Sequence, residues 1–341
     1  MKKIIYLDNA STTSVNEEVT KEMNKFFISN YGNPSSPHNL GEIAFSEMKK
    51  AREKIAEEIG AKPWEIIFTS GGTEANNLAL FGLTKANPKK NKIIISAIEH
   101  SSIYEPCMEL ERNGYKVKII KVDKEGLINI NELEKEIDSN TLFVSIMHVN
   151  NEIGVIQDIE KIGNICKSKK IYFHTDAVQS FGKLKIDVKK MEIDMLSASG
   201  HKINGSKGIG FLYIKEGIKI SPLIVGGGQE KGLRGGTENV SAIVGFAKAL
   251  EISKKFDKEK IRMLKEYFLS ELLKIKGKIN TPTNKSINNI INVSLPIKSE
   301  MLVSFLSQKG IMCSTKSACL EKQKKENRVL ESIGLNKKDI E

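Results

Sequence analysis

Residues 194–215 read DMLSASGHKINGSKGIGFLYIK. The apolar runs DMLSAS (194–199) and GIGFLYIK (208–215) predict two strands, and the turn between them is rich in small residues. Lys202 lies in that turn, between Gly200 and Gly205. A lysine in such company is unusual for a solvated surface. Desolvation lowers the pKa of an amine and turns it into a usable nucleophile for capturing a carbonyl. Working outward, IYFHTDA (171–177) predicts a third strand that ends near Asp176, and TLFVSIM (141–147), KVKIIKVD (116–123) and KIIISAIE (92–99) predict three more. Amphipathic stretches such as SSIYEPCMELERNG and IEKIGNICKSKK lie between several of them. This alternation predicts an α/β fold, a mainly parallel sheet covered by helices. Such sheets bind ligands beyond the strand C-termini.

The chain has 341 residues, more than the roughly 250–300 at which a single core stops growing, so two domains are expected. From Asn239 to about Lys276 the pattern is helical; INNIINVSLP (287–296, strand), SEMLVSFLSQKG (299–310, helix), IMCST (strand) and ENRVLESIG (helix) then predict a smaller α+β unit. The expected division is 16–245 as a large cofactor-binding domain, with 1–15 plus 246–341 as a small one.

No run approaches the ~18 apolar residues of a membrane span, and MKKIIYLDNAST has too short an apolar run for a signal peptide. Four cysteines without a CxxC pair argue against a disulfide framework or a closed zinc site and fit a cytoplasmic setting. The net charge of +11 comes almost wholly from lysine; the arginines are Arg52, Arg112, Arg234, Arg262 and Arg328. Planar readout of phosphates and bases favours arginine, so direct nucleic-acid binding is not expected.

The residues that follow the strands carry the chemistry. FTSGGTEANNLAL (68–80) is a strand, a Gly-Gly turn and a helical run, so Gly71, Gly72 and Thr73 form a candidate phosphate cradle at a helix start. The segment matches neither a dinucleotide fingerprint nor a Walker motif. His100, His148, His174 and His201 lie at or near strand ends without metal-ligand spacing. A phosphate cradle, a strand-end aspartate (Asp176) and an enclosed lysine (Lys202) together describe a pyridoxal phosphate site.

The chain resembles the cysteine desulfurases of the NifS/IscS type, in the aminotransferase class V group of fold-type I pyridoxal phosphate enzymes. The resemblance rests on YLDNASTT (6–13), YGNPSSPHNLG (31–41), FTSGGTEANN (68–77), EHSS (99–102), VNNEIGVIQDI (149–159), HTDAVQSFGK (174–183), SGHKINGSKGIGFLY (199–213), RGGTEN (234–239) and CSTKSAC (313–319). It implies that Lys202 binds pyridoxal 5′-phosphate covalently, that His100 stacks on the ring and moves protons, and that Asp176 and Gln179 read the ring nitrogen and phenolic oxygen. Gly72, Thr73, Ser199 and His201 would hold the phosphate, joined by Thr237 from a second subunit of a homodimer. Asn151 would hold the substrate, L-cysteine, and Cys319 would be the nucleophile that becomes a persulfide. The sulfur would then go to an iron–sulfur scaffold or a tRNA-thiolation protein.

Within that resemblance, Ser206 stands where many relatives have proline and Lys316 where a small residue is usual. Lys316 would lower the thiol pKa of Cys319 or simply be solvated. Relatives continue beyond the helix read as ENRVLESIGL and carry an arginine there that clamps the substrate carboxylate; weak cysteine binding and low turnover are the expectation for the chain as written. Cys313 is expected to be a small core residue. Two other readings remain open: a selenocysteine lyase-like or aminotransferase activity, and a pyridoxal phosphate-binding regulator or scaffold with little catalysis.

Overall fold

The computed structural model describes residues 4–315, 327–336 and 340. In chain order its strands are β1 (Ile5–Tyr6), β2 (Ile66–Thr69), β3 (Lys92–Ser96), β4 (Lys116–Ile120), β5 (Thr141–Ser145), β6 (Tyr172–Asp176), β7 (Met195–Ser199), β8 (Gly210–Ile214), β9 (Lys278–Ile279), β10 (Val293–Ser294) and β11 (Ile311–Met312). The helices are α1 (Glu17–Ile28), α2 (Asn39–Glu58), α3 (Gly72–Ala86), α4 (Ser101–Arg112), α5 (Ile130–Glu136), α6 (Ile159–Ser168), α7 (Val240–Ser253), α8 (Lys258–Lys274), α9 (Ser299–Gln308) and α10 (Arg328–Ser332).

The central sheet has the order β2-β8-β7-β6-β5-β3-β4. β7, β6, β5, β3 and β4 are parallel, whereas β8 runs against both β7 and β2. Its strands are nearly continuous apolar runs because both faces are covered. Alternate residues go to opposite cores. Leu196, Phe211 and Tyr213 pack on the face that carries α2 and α7, and Met195 and Leu212 on the face that carries α3 and α4. Phe181, Phe211 and Phe246 meet edge-on or tilted with ring centres 5.0–5.9 Å apart, which closes the first core behind β7.

The later part of the chain is less enclosed. The expected long helix from Asn239 divides into α7 and α8, with Asp257 capping the second through Lys260 N–H. Of INNIINVSLP only Val293–Ser294 is strand, paired with β9. The residues before it instead bury Ile287 and Ile290 against Val149, so their apolar character serves packing rather than a ladder. The parallel pair β1–β11 has exposed Ile5 and Tyr6, and Cys313 just beyond it is half-buried. Cys313 is therefore not the core residue its apolar neighbours suggested, because this small sheet has too little cover to enclose it. Among the described residues, no helix is long and apolar enough to cross a membrane.

Candidate active site

One edge of the sheet gathers the predicted groups. Sheet register places Thr69 opposite Gly210, Gly210 opposite Ser199, and Asp176 opposite Ser197. The ends of β2, β7 and β6 thus share one rim, and the segments leaving them face a common crevice.

After β2 comes the start of α3. Its cap, Gly71, has no side chain to satisfy the first N–H groups, which leaves them for an external acceptor. A Cβ at Gly72 would lie 2.6 Å from Val178 Cγ2, so glycine lets the helix start approach Val178 without pushing it aside. Ser199 is buried, and its Oγ lies 3.9 Å from where a Cβ on Gly71 would stand. Thr73 is exposed on the first turn of the helix.

After β6, buried Asp176 is held at both oxygens: Asn76 Nδ2 donates to Oδ2 at 2.8 Å and Val178 N–H to Oδ1 at 2.9 Å. Asn76 also donates to Ser102 Oγ at 2.8 Å. Ser102 reaches His100 Nδ1 through its hydroxyl at 2.7 Å and its backbone N–H at 3.1 Å. Because Nδ1 accepts the backbone N–H, the ring proton sits on Nε2. Burial, which outweighs the attraction of Asp176, draws the His100 pKa down and keeps the imidazole neutral. Sequence reasoning assigned no role to Asn76 or Ser102. The signal was present in FTSGGTEANN and EHSS, but only the fold shows that the two segments meet.

After β7, the turn Gly200–Lys202 carries the lysine. Lys202 Nζ donates to the carbonyls of Ala10 (2.5 Å) and Ser11 (2.6 Å). The N-terminal segment crosses this turn as a strap. Thr13 bonds to His201 O through both N–H (3.0 Å) and Oγ1 (2.9 Å), and Thr13 Oγ1 accepts from Asn204 N–H at 2.8 Å. Thr12 Oγ1 lies 3.1 Å from His201 Nδ1. Burial and neighbouring lysines push the pKa of His201 down to about 4. A Cβ at Gly205 would stand 2.8 Å from Gly200 O, which is why this turn needs a glycine. Buried Gln179 donates through Nε2 to Ala10 O at 2.8 Å, the same carbonyl that holds Lys202.

Asn151 is half-buried in the turn after β5, beside Asn150, whose amide bonds Ile98 O at 2.9 Å. Thr237 is exposed, on a loop tied to α3 by Arg234 Nε donating to Glu74 Oε1 at 3.1 Å. Cys319 and Lys316 lie outside the described residues. His148 and His174 are buried; burial pushes their pKa values down to about 4 and about 3. His174 is tied to Ser145 and Ser197, a structural post. All five arginines have acceptors already: Arg52 on Glu230, Arg112 on Glu109, Arg234 on Glu74, Arg262 on Glu259 and Glu266, and Arg328 on the carbonyls of Ala97 and Glu99.

An uncapped helix start, a fixed carboxylate and an enclosed amine on one rim suit a ligand with an anionic tail, a basic ring nitrogen and an aldehyde. Pyridoxal 5′-phosphate has all three, and the residues present fit it. The fold agrees with this chemistry. A solved structure described as a NifS-like protein superposes with a TM-score of 0.94 at 40% identity, over 99% of this chain and 92% of that one. Another, described as SspA in complex with cysteine, gives 0.87 at 38% identity, over 100% and 96%. The protein is in the class of fold-type I pyridoxal phosphate enzymes, and pyridoxal 5′-phosphate is its cofactor. More narrowly, the aminotransferase class-V profile matches residues 5–334, and the chain belongs to that family. Similar curated proteins are the cysteine desulfurase IscS of Dictyoglomus turgidum, 43% identical over 98% of this chain and 87% of its own, and that of Methanosarcina thermophila, 44% identical over 98% and 84%.

Proposed function

We propose that the protein is a cysteine desulfurase, which converts L-cysteine to L-alanine and leaves the sulfur as a persulfide on Cys319. The observation that carries the reading is the connected chain Asp176–Asn76–Ser102–His100 facing the turn of Lys202, because it fixes a carboxylate and a neutral imidazole on one rim.

In this reading, bound pyridoxal phosphate supplies an electron-withdrawing ring that makes a substrate α-proton removable and loosens the Cβ–S bond. Gly72, Thr73, Ser199 and His201 hold its phosphate, with Thr237 of a partner subunit completing the cradle in a homodimer. Asp176 balances a protonated ring nitrogen, and Gln179 donates to the ring oxygen. Lys202 would bind the cofactor covalently, and its amine is the group that would carry the α-proton. His100 would stack on the ring, and its Nε2 proton would be available for transfer. Asn151 holds the substrate. The Cys319 thiolate attacks the substrate sulfur; an S–S bond forms, the Cβ–S bond breaks, and the carbon fragment is protonated to alanine. The two sulfurs are oxidised together as that carbon is reduced, so no outside oxidant enters. An iron–sulfur scaffold or a tRNA-thiolation protein takes the sulfur in the cytoplasm. The division into 16–245 and 1–15 plus 246–341 places the cofactor groups other than the strap in the larger domain.

The test is to purify the protein, record its visible cofactor band, and measure alanine and sulfide from L-cysteine with a thiol reductant present. Cys319→Ala should abolish sulfide release and keep the band. Sulfide that survives the substitution overturns the assigned nucleophile, and a band without turnover overturns the activity.

A further inference from the structure

The segment that leaves β6 forms consecutive turns. Ser180 and Phe181 N–H groups bond to Ala177 O at 3.0 and 2.8 Å, and those of Lys183 and Leu184 to Ser180 O at 3.0 and 2.9 Å. Gly182, with a φ of +70°, bends the chain between these turns, and the Lys183 side chain comes back to Gln179. Lys183 Nζ donates to Gln179 Oε1 at 3.3 Å, while Gln179 Nε2 donates to Ala10 O, the carbonyl that also holds Lys202.

We propose that Lys183 is a positioning residue for the cofactor, fixing the Gln179 amide with its NH₂ end toward the Lys202 corner. The proposal rests on the cofactor reading given above. A glutamine amide has ends of similar size and opposite chemistry. An ammonium only donates and a carbonyl only accepts. Turning the amide over would set its oxygen against Ala10 O and its NH₂ against the Lys183 ammonium, two repulsive contacts in place of two bonds. The remaining hydrogen on Nε2 is then available to the ring oxygen of the cofactor.

The choice of lysine for this tie is informative. A neutral donor could hold Gln179 Oε1 without bringing a second cation toward Lys202. Burial, with the charge of Lys202 added, draws the Lys183 amine down to about 7. Lys202 and His201, both on the turn after β7, are the titratable groups that face it. While protonated, the Lys183 side chain therefore does two things at the same corner: it orients a donor toward the ring oxygen and raises the local positive potential. Both effects disfavour protonation of the nitrogen that joins Lys202 to the cofactor, and removing Lys183 reverses both.

The experiment follows the visible absorption of the pyridoxal phosphate holoenzyme against pH in wild type, Lys183→Met, Lys183→Arg, Gln179→Ala and the Gln179→Ala/Lys183→Met pair. Lys183→Met should move the spectroscopic midpoint upward by about one pH unit. Lys183→Arg, which keeps donor and charge, should keep the wild-type midpoint. In the Gln179→Ala background Lys183→Met should shift it by less than half as much, since the amide it orients is gone. Circular dichroism checks folding, and Lys183→Ala replaces Lys183→Met if the latter does not fold. An unchanged midpoint in a folded, coloured Lys183 variant overturns the proposal, and so does an equal shift with and without Gln179. A wild-type protein that takes up no cofactor overturns the cofactor reading itself, and this inference with it.

Discussion

Asn76 shows how much a single side chain can carry at the rim. It is fully buried on α3, and its one NH₂ group serves both Asp176 and Ser102. Asn76→Ala would leave two buried acceptors short of a donor, at a cost of about 1–3 kcal/mol, measurable as a lower denaturation midpoint of the apo protein. Asn76→Asp should be worse, because a second carboxylate would stand 2.8 Å from Asp176 and one of the two would have to take a proton; cofactor binding by equilibrium titration should weaken more than in Asn76→Ala. Glu99, the residue before His100, poses a different problem. Its Oε1 accepts Ser96 Oγ–H and Met147 N–H, while Oε2 is buried with no hydrogen-bond partner among the described residues. Burial pushes its carboxyl up to about 8. A carboxyl whose folded pKa is raised stabilises the fold below its unfolded pKa, ordinarily near 4.5, and loses that contribution as pH climbs through about 8. Glu99→Gln keeps the acceptor and cannot ionise. It should therefore gain on wild type by more than about 1 kcal/mol at pH 8.5 while matching it near pH 5. Parallel denaturation curves at the two pH values check this, and an equal difference at both would remove Glu99 as the source.

At the scale of elements, α10 is the piece that fixes the end of the chain to the cofactor rim. Asn327 caps it through Leu330 N–H at 3.1 Å, and Val329, Leu330 and Ile333 bury against Ile98 and Ile153. Arg328 binds the carbonyls of Ala97 and Glu99 and stacks on Tyr104 with 4.1 Å to the ring centre. Those carbonyls flank the turn into His100, so the first helix after residues 316–326 is fastened to the segment that presents the imidazole. Arg328→Ala removes two charge-assisted bonds and a stacking contact. It should lower stability by about 2–4 kcal/mol in a denaturant titration. Arg328→Lys should recover less than half of that loss, because an ammonium cannot span two carbonyls and lie flat on a ring. The sequence showed α10 as a helical pattern and Arg328 as an arginine without a motif. Its partners are more than two hundred residues away in the chain, so their pairing exists only in the fold.

Across the whole molecule, legibility follows enclosure. The strands of the central sheet could be read from their apolar runs because burial on both faces leaves little choice of residue, and the strand-end positions of Asp176 and Lys202 came with them. What could not be read is what distant segments do together. LDNASTT gave no sign that its carbonyls would hold Lys202, and INNIINVSLP looks like a strand although its isoleucines pack without a ladder. Thr237 raises the same problem one level higher, since within one chain it is exposed on a loop that also carries exposed Leu223, Ile224 and Val225 nearby. An apolar stretch next to a solvated threonine suits a surface that a second subunit covers. If Thr237 completes the partner's phosphate cradle, each site takes its lysine from one protomer and its threonine from the other. A mixed dimer of Lys202→Ala and Thr237→Ala protomers then has one site with both defects and one site with neither. Co-expressed with two affinity tags and isolated as the mixed species, it should retain about half the tightly held cofactor of wild type after gel filtration, while each parent dimer retains less. Were Thr237 to serve its own subunit, every site in the mixed dimer would carry one defect, and no recovery over the Thr237→Ala parent would be seen.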